Sequence, residues 1–201
     1  RRQTRYVAGL EGHPAASGDP SPVTAEGGVR GVSLCVRRKL GTDLKGVTVA
    51  LQGVGHVGAC LADKLHAAGA RLVITDVNAE ALQAVAARTG AQVVAPDEIF
   101  DVDAEVFAPC ALGGAVSAET LPRLRAQIIA GGANNQLADP LVGQTLFDLG
   151  LLYAPDYVIN GGGIINVAGG SHPLGAREGL LPAGGGSEPS ASVATFVTSG
   201  T

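Results

Sequence analysis

The sequence predicts an α/β chain built on a doubly wound, mostly parallel sheet. Three observations carry that expectation. Short apolar runs alternate with helix-period segments from Lys45 to Ala154. The runs are continuous rather than alternating, as strands covered on both faces require. One of them, Val47–Gln52, leads directly into Gly53-Val54-Gly55-His56-Val57-Gly58. Composition agrees: with 30 glycines, no Met, no Trp and 3% aromatics in 201 residues, the interior is built from Ala, Val, Leu and Ile, small side chains that let layers pack closely.

Residues 1–20 are polar and rich in Gly and Pro, and read as a connecting segment. Ser21 offers a side-chain cap before Pro22, and Val29, Val32, Leu34, Val36 and Leu40 make a partly periodic apolar run stopped by Gly41, which predicts a helix over 22–39. Val47–Gln52 is the first strand; Val57, Leu61 and Leu65, at i, i+4 and i+8, set the helix after it. Arg71–Asp76 is the second strand, Asn78 caps a helix that runs to Gly90, and 92–95 is a short third strand. Glu105–Ala108 and Gln127–Ala130 are further buried strands separated by a helix near 117–124, and a helix near 140–149 leads to the last strand, Leu151–Ala154. From Gly169 the composition turns linker-like, as in Gly184-Gly185-Gly186-Ser187, and little order is expected over 169–201.

A G-x-G-x-x-G pattern alone says little, but here it follows a strand and opens a helix, and the next strand ends on an acid, Asp76, eighteen residues past Gly58. That context is the Rossmann-type dinucleotide fingerprint. Gly53 permits the tight turn, Gly55 lets the backbone approach a pyrophosphate, and Gly58 lets the helix lie close to the strand. The helix N-terminus points unpaired N–H groups and a partial positive charge at the phosphates. Asp76 accepts from the ribose hydroxyls. A 2′-phosphate there would meet like charge, and Val77-Asn78 supply no cation, so NAD is expected over NADP. The plainer alternative is a glycine turn that serves packing only, with Asp76 a solvated strand-end acid.

The loops Ala108–Gly114 and Ala130–Gln136 also leave strand ends, where open α/β sheets place their ligands. Asn134 and Asn135 there suit either turn positions or amides directed at a carboxamide or a substrate.

Other function classes are disfavoured. A net charge of −4, with no basic run longer than Arg37-Arg38-Lys39, argues against a nucleic-acid partner. No apolar stretch reaches the roughly 20 residues that span a bilayer, and the N-terminus lacks the apolar segment of a signal peptide. Cys35, Cys60 and Cys110 are odd in number and lack C-x-x-C spacing, which points to a reducing cytoplasm. No metal is expected, since His13, His56, His66 and His172 have no ligand spacing. Cys110, in the apolar stretch Ala108-Pro109-Cys110-Ala111, reads as a small core residue rather than a nucleophile, and Asp97, Glu98, Asp101, Asp103 and Glu105 read as solvated loop charge.

Five segments, in order, resemble one family. Ser17–Thr24, Gln52–Gly58, Phe107–Gly114, Ile129–Leu137 and Tyr153–Val167 look like the cofactor domain of the Glu/Leu/Phe/Val dehydrogenase family, over about residues 4–168. The branch is similar to the leucine and valine enzymes. The resemblance implies oxidative deamination of a branched-chain L-amino acid by NAD and water to the 2-oxo acid, ammonium and NADH, in a homo-oligomeric enzyme. By position, it implies that Thr24 contacts the nicotinamide carboxamide and that Gly53, Val54, Gly55, His56, Val57, Gly58 and Ala59 surround the pyrophosphate. It also implies that Asp76 holds the ribose, Ala111 lines the cofactor, and Asn134 and Asn135 reach the nicotinamide and the substrate. Ile164 and Val167 match positions lining an aliphatic side-chain pocket.

The chain departs from the family pattern in places. Gly161 stands where Ala is usual, and Glu26 where an aromatic or aliphatic residue is frequent. In the family an N-terminal domain supplies the catalytic lysines, whereas Lys39, Lys45 and Lys64 here are placed at a helix end, before a strand and on an outward helix position. The expected organisation is a connecting segment over 1–20, an NAD-binding domain over 21–168 and a tail over 169–201. A second reading is a nucleotide-binding module that holds NAD without turnover.

Overall fold

A computed structural model describes residues 19–161, so the expectations for Ile164, Val167 and the tail lie outside the described residues. The chain runs through helix α1 (Ser21–Leu40), strand β1 (Thr48–Gln52), α2 (His56–Ala67), β2 (Arg71–Thr75), α3 (Ala79–Thr89), β3 (Gln92–Val93), β4 (Val106–Pro109), β5 (Ile128–Ile129), α4 (Pro140–Asp148), β6 (Leu152–Tyr153) and the single turn α5 (Asp156–Ile159). The strands form one six-stranded sheet in the order β3-β2-β1-β4-β5-β6, every pair parallel. The order reverses direction between β1 and β4, which opens the crevice where doubly wound sheets bind ligands.

Side chains alternate across a strand, and both faces are covered. Val49, Leu51, Leu72, Ile74, Val106, Ala108 and Ile128 meet Val32, Val36, Leu61, Leu65, Leu82 and Val85 of α1, α2 and α3 on one face. Ala50, Val73, Phe107 and Ile129 meet Ile99, Phe100, Val116, Val142 and Leu146 on the other. Gly41 and Gly90 end α1 and α3 in left-handed conformation, at φ 69° and 66°, as their positions predict. Asn78 caps α3 by accepting from Ala81 N at 3.1 Å.

The differences from expectation have local causes. α1 begins one residue early because Pro20 already adopts helical angles, so Ser21 is its first residue; Asp19 Oδ1 instead accepts from Ser21 N at 2.9 Å and Ser21 Oγ at 2.7 Å. The helix expected near 117–124 shrinks to a 3₁₀ turn, Leu121–Arg123. There Thr120 Oγ1 accepts from Ser117 N at 2.9 Å and donates to Ala115 O at 2.7 Å, a local network that competes with helix. β3 stops before Ala95, which precedes Pro96. Asp97 and Asp101 are solvent-exposed as expected of loop charge, and they are also paired across the loop: Arg123 donates to Asp97 Oδ1 at 2.8 Å and Asp101 Oδ2 at 2.6 Å and lies 5.5 Å over the Phe100 ring. Those hydrogen bonds hold both carboxyls below the usual range.

Leu61 is completely buried beneath α1, beside Gly28. Leu61→Ala is expected to cost about 2–5 kcal/mol by guanidinium unfolding. Val77→Ala, at a residue 92% exposed, is expected to change stability by less than about 0.5 kcal/mol.

Candidate dinucleotide site at the carboxyl edge of the sheet

The loop after β1 is shaped by contacts that exclude side chains. Gly53 has φ 95°, and a Cβ there would sit 2.7 Å from Ala111 N. A Cβ on Gly58 would strike Gly53 O, which presses α2 against its own strand. Gly55 differs: it has ordinary angles, and a Cβ there would meet nothing within 4 Å, so its missing side chain leaves open space in front of α2. No side chain caps α2 and its first turn holds no acid. By contrast, Asn78 and Asp139 cap α3 and α4. The α2 N-terminus therefore keeps its donors for an anion.

Asp76 follows β2 and faces this loop. Its Oδ2 accepts from Val54 N at 2.6 Å and its Oδ1 from Asn78 N at 2.7 Å. These two bonds aim the carboxylate and leave it lone pairs for diol hydroxyls. A cavity of about 310 Å³ lies alongside, walled by Gln52, Gly53, Asp76, Val77, Ala111 and Gly113 among others. Gly53, Asp76 and Ala111 are thus brought together. A larger groove of about 680 Å³ lies at the opposite, amino edge of the sheet, by Thr48, His66, Arg71 and Gly90, away from the Gly53–Gly58 loop.

The loops after β4 and β5 join the same edge. A Cβ on Gly131 would collide with Pro109, one on Gly132 would lie 2.9 Å from Val57 Cγ1, and one on Gly113 would lie 2.9 Å from the carbonyls of Asn134 and Asn135. Asn134 and Asn135 are exposed, outside the walls of the smaller cavity. Asn135 has φ 52°, and its N–H donates to Asp156 Oδ2. Thr24 is half-buried in the first turn of α1 and donates to Pro20 O at 3.0 Å; α1 ends at the amino edge, so Thr24 lies at the carboxyl edge. His56 is exposed at the head of α2, Val54 is buried, and Val57 and Ala59 are half-buried.

Sequence reasoning assigned no role to Gln136, Asp156 or Asn160. Gln136 is fully buried and donates from Nε2 to Gly131 O at 2.7 Å and Ala133 O at 3.0 Å, tying the β5 loop to itself. Its signal was a polar residue next to the apolar Leu137, which is indistinct in sequence.

Lys64 does not point outward: its Nζ lies 2.7 Å from Glu26 Oε2, and Arg30 Nε lies 2.9 Å from Glu26 Oε1, so Glu26 links α1 to α2. These bonds hold the Glu26 carboxyl below the usual range. Lys39 donates to Gly150 O at 2.9 Å, at the amino edge. Cys110 Sγ accepts from Gly132 N at 3.2 Å, and burial pushes its thiol up to about 11, the opposite of an activated nucleophile. Among the described residues no His, Cys, Asp and Glu gather as a metal site, and no helix is long and apolar enough to cross a membrane.

Residues 73–168 match the sequence profile described as Glutamate/Leucine/Phenylalanine/Valine dehydrogenase. The chain is 48% identical over 167 residues to leucine dehydrogenase of Bacillus cereus, covering 83% of this chain and 46% of that protein. The crystal structure of L-tryptophan dehydrogenase from Nostoc punctiforme superposes with a TM-score of 0.73 at 44% identity, over 76% of this chain and 47% of that one. A hetero-hexameric glutamate dehydrogenase from Thermus thermophilus, in a Leu-bound form, gives 0.63 at 27% identity, over 77% and 40%. The chain thus spans about half the length of the relatives it matches.

The glycines separate by what surrounds them. Gly58→Ala is expected to lower the unfolding free energy by about 1–3 kcal/mol, because backbone must move to admit the methyl group. Gly55→Ala is expected to stay within about 1 kcal/mol. Thermal melts of the two variants check the contrast.

Proposed function

The chain belongs, over the stretch it shares with these proteins, to the Glutamate/Leucine/Phenylalanine/Valine dehydrogenase family, and we propose that it is the NAD-binding part of a dehydrogenase acting on a branched-chain L-amino acid. One observation carries the cofactor assignment. Asp76 is held by two backbone N–H groups in the wall of a cavity also lined by Gly53 and Ala111, next to an α2 N-terminus free of any side-chain cap. That arrangement suits a dinucleotide with its ribose diol on Asp76 and its pyrophosphate over Gly55. When bound, NAD supplies the hydride acceptor. The protein's part at this edge is to hold the two ribonucleotide halves and to exclude a 2′-phosphate by the charge of Asp76.

Thr24, Asn134 and Asn135 sit at the same edge and are proposed to reach the nicotinamide end and the substrate. Ile164 and Val167 are proposed to line an aliphatic pocket, which a glutamate carboxylate would enter only with a cationic partner; residues 160–168 provide none. The base and oxyanion-stabilising cation that deamination needs are proposed to come from outside the described residues. Lys39 and Lys45 belong to the amino edge, and Lys64 is paired with Glu26. The proposed organisation is a connecting segment over 1–20, the NAD-binding domain over 21–168, a tail over 169–201 and a homo-oligomeric, cytoplasmic enzyme.

Fluorescence titration of the intact protein is expected to show NADH bound more tightly than NADPH. The double substitution Asp76→Ser, Val77→Arg is expected to reverse that order, since it removes the repelling charge and supplies a partner for the phosphate. Unchanged preference would remove Asp76 from the ribose site. In steady-state assays kcat/KM is expected to be higher for L-leucine than for L-glutamate; comparable values would remove the aliphatic pocket.

A further inference from the structure

Among the described residues three buried side-chain oxygens lack a hydrogen-bond partner: Gln52 Oε1, Gln136 Oε1 and Asn160 Oδ1. The third belongs to a residue whose nitrogen does two tasks. Asn160 Nδ2 lies 3.3 Å from Ala133 O and 3.0 Å from Asn134 Oδ1. A backbone carbonyl can only accept, so the Asn160 atom facing Ala133 must be its NH₂ group. That group in turn needs an acceptor on Asn134, so the Asn134 atom turned toward Asn160 must be its oxygen. The Asn134 NH₂ is left on the other side of an exposed side chain. A second brace fixes the neighbouring backbone, where the Asn135 N–H donates to Asp156 Oδ2 while Asn135 holds φ 52°.

Resting on the reading of this edge as the dinucleotide and substrate site, we infer that Asn160 is a positioning residue that fixes Asn134 as a hydrogen-bond donor toward an acceptor oxygen of the bound ligand. That oxygen is either the carboxamide oxygen of the nicotinamide or a carboxylate oxygen of the amino acid. The chemistry is the same for both, a neutral amide donating to sp² oxygen. The polarity is set by the Ala133 carbonyl, three hydrogen bonds from the ligand through Asn160 and Asn134.

Asn160→Asp tests it in the intact protein. A carboxylate at 160 can only accept, so Asn134 turns its NH₂ inward and offers the ligand an oxygen instead. The expected loss is about tenfold for Asn160→Asp and smaller for Asn160→Ala, with no added loss from either when Asn134 is already Ala. Loss in the NADH dissociation constant, measured without amino acid, assigns the carboxamide. Loss only in the amino-acid KM assigns the carboxylate. Circular dichroism melts accompany each variant, and Asn160→Ala carries the cycle if the Asp variant melts early. Asn160 substitutions that weaken neither ligand, or weaken one equally with Asn134 and with Ala at 134, overturn the inference. Gly55→Val separates the two levels: if it weakens NADH while Asn160→Asp is silent, only this inference falls. If it leaves NADH affinity untouched, the dinucleotide reading falls and takes the inference with it.

Discussion

Backbone pressed on backbone at the carboxyl edge of the sheet is the constraint on which the rest of this structure depends. Gly58 lies so close to the Gly53 carbonyl, and Gly131 so close to Pro109, that a single methyl group at either place has nowhere to go. These contacts bring α2 against β1 and draw the loops after β4 and β5 toward it. A Cβ at Gly53 would meet the Ala111 backbone, and one at Gly132 would meet Val57. Three strand-end loops are therefore held by close packing of main chain, which side-chain rotation cannot loosen. Gly55 lies in the same turn with open space before it, so one loop combines tight packing behind with room in front.

The two covered faces of the sheet give this edge its rigidity. Successive residues of β1, Val49, Ala50 and Leu51, divide between the two cores, and Phe107 of β4 is fully buried between its neighbours. Pro109 closes β4 at the point where pairing with β5 has already stopped, since β4 and β5 pair only through Val106 and Phe107. A residue without an N–H is tolerated there because no ladder bond is asked of it. The strands separate beyond it, and the loop that follows carries Ala111 to the cavity wall.

Much of this was legible in the sequence because the signals were local. Continuous apolar runs marked the strands, glycines marked the ends of α1 and α3, and Asn78 marked the start of α3. The Gly53–Gly58 pattern and Asp76 fell where their spacing placed them. The failures were matters of competition or distance. The segment 117–124 reads as helix in sequence, but Thr120 Oγ1 bonds Ser117 N and Ala115 O while Ser117 Oγ accepts from the Glu119 and Thr120 amides, and these bonds displace the helical ladder. Glu26 and Lys64 are 38 positions apart, and the acids at 97 and 101 are bound by an arginine more than twenty positions away, so none of these pairs leaves a mark in periodicity. Asn160 is of the same kind, since its partners at 133 and 134 lie in another loop.

The charge arrangement at the edge follows from how the helices are capped. α3 and α4 satisfy their first N–H groups with Asn78 and Asp139, and Asp76 takes the Val54 and Asn78 amides. Asp76, Asp139 and Asp156 are each thereby committed to backbone donors that are not in the first turn of α2. An anion approaching Gly55 meets the uncapped donors of α2, whose first turn carries no acid, whereas one approaching Asp76 meets a negative charge. The two halves of the crevice differ in sign within a few residues of one another. That difference suits a molecule that is a pyrophosphate at one point and a neutral diol at the next.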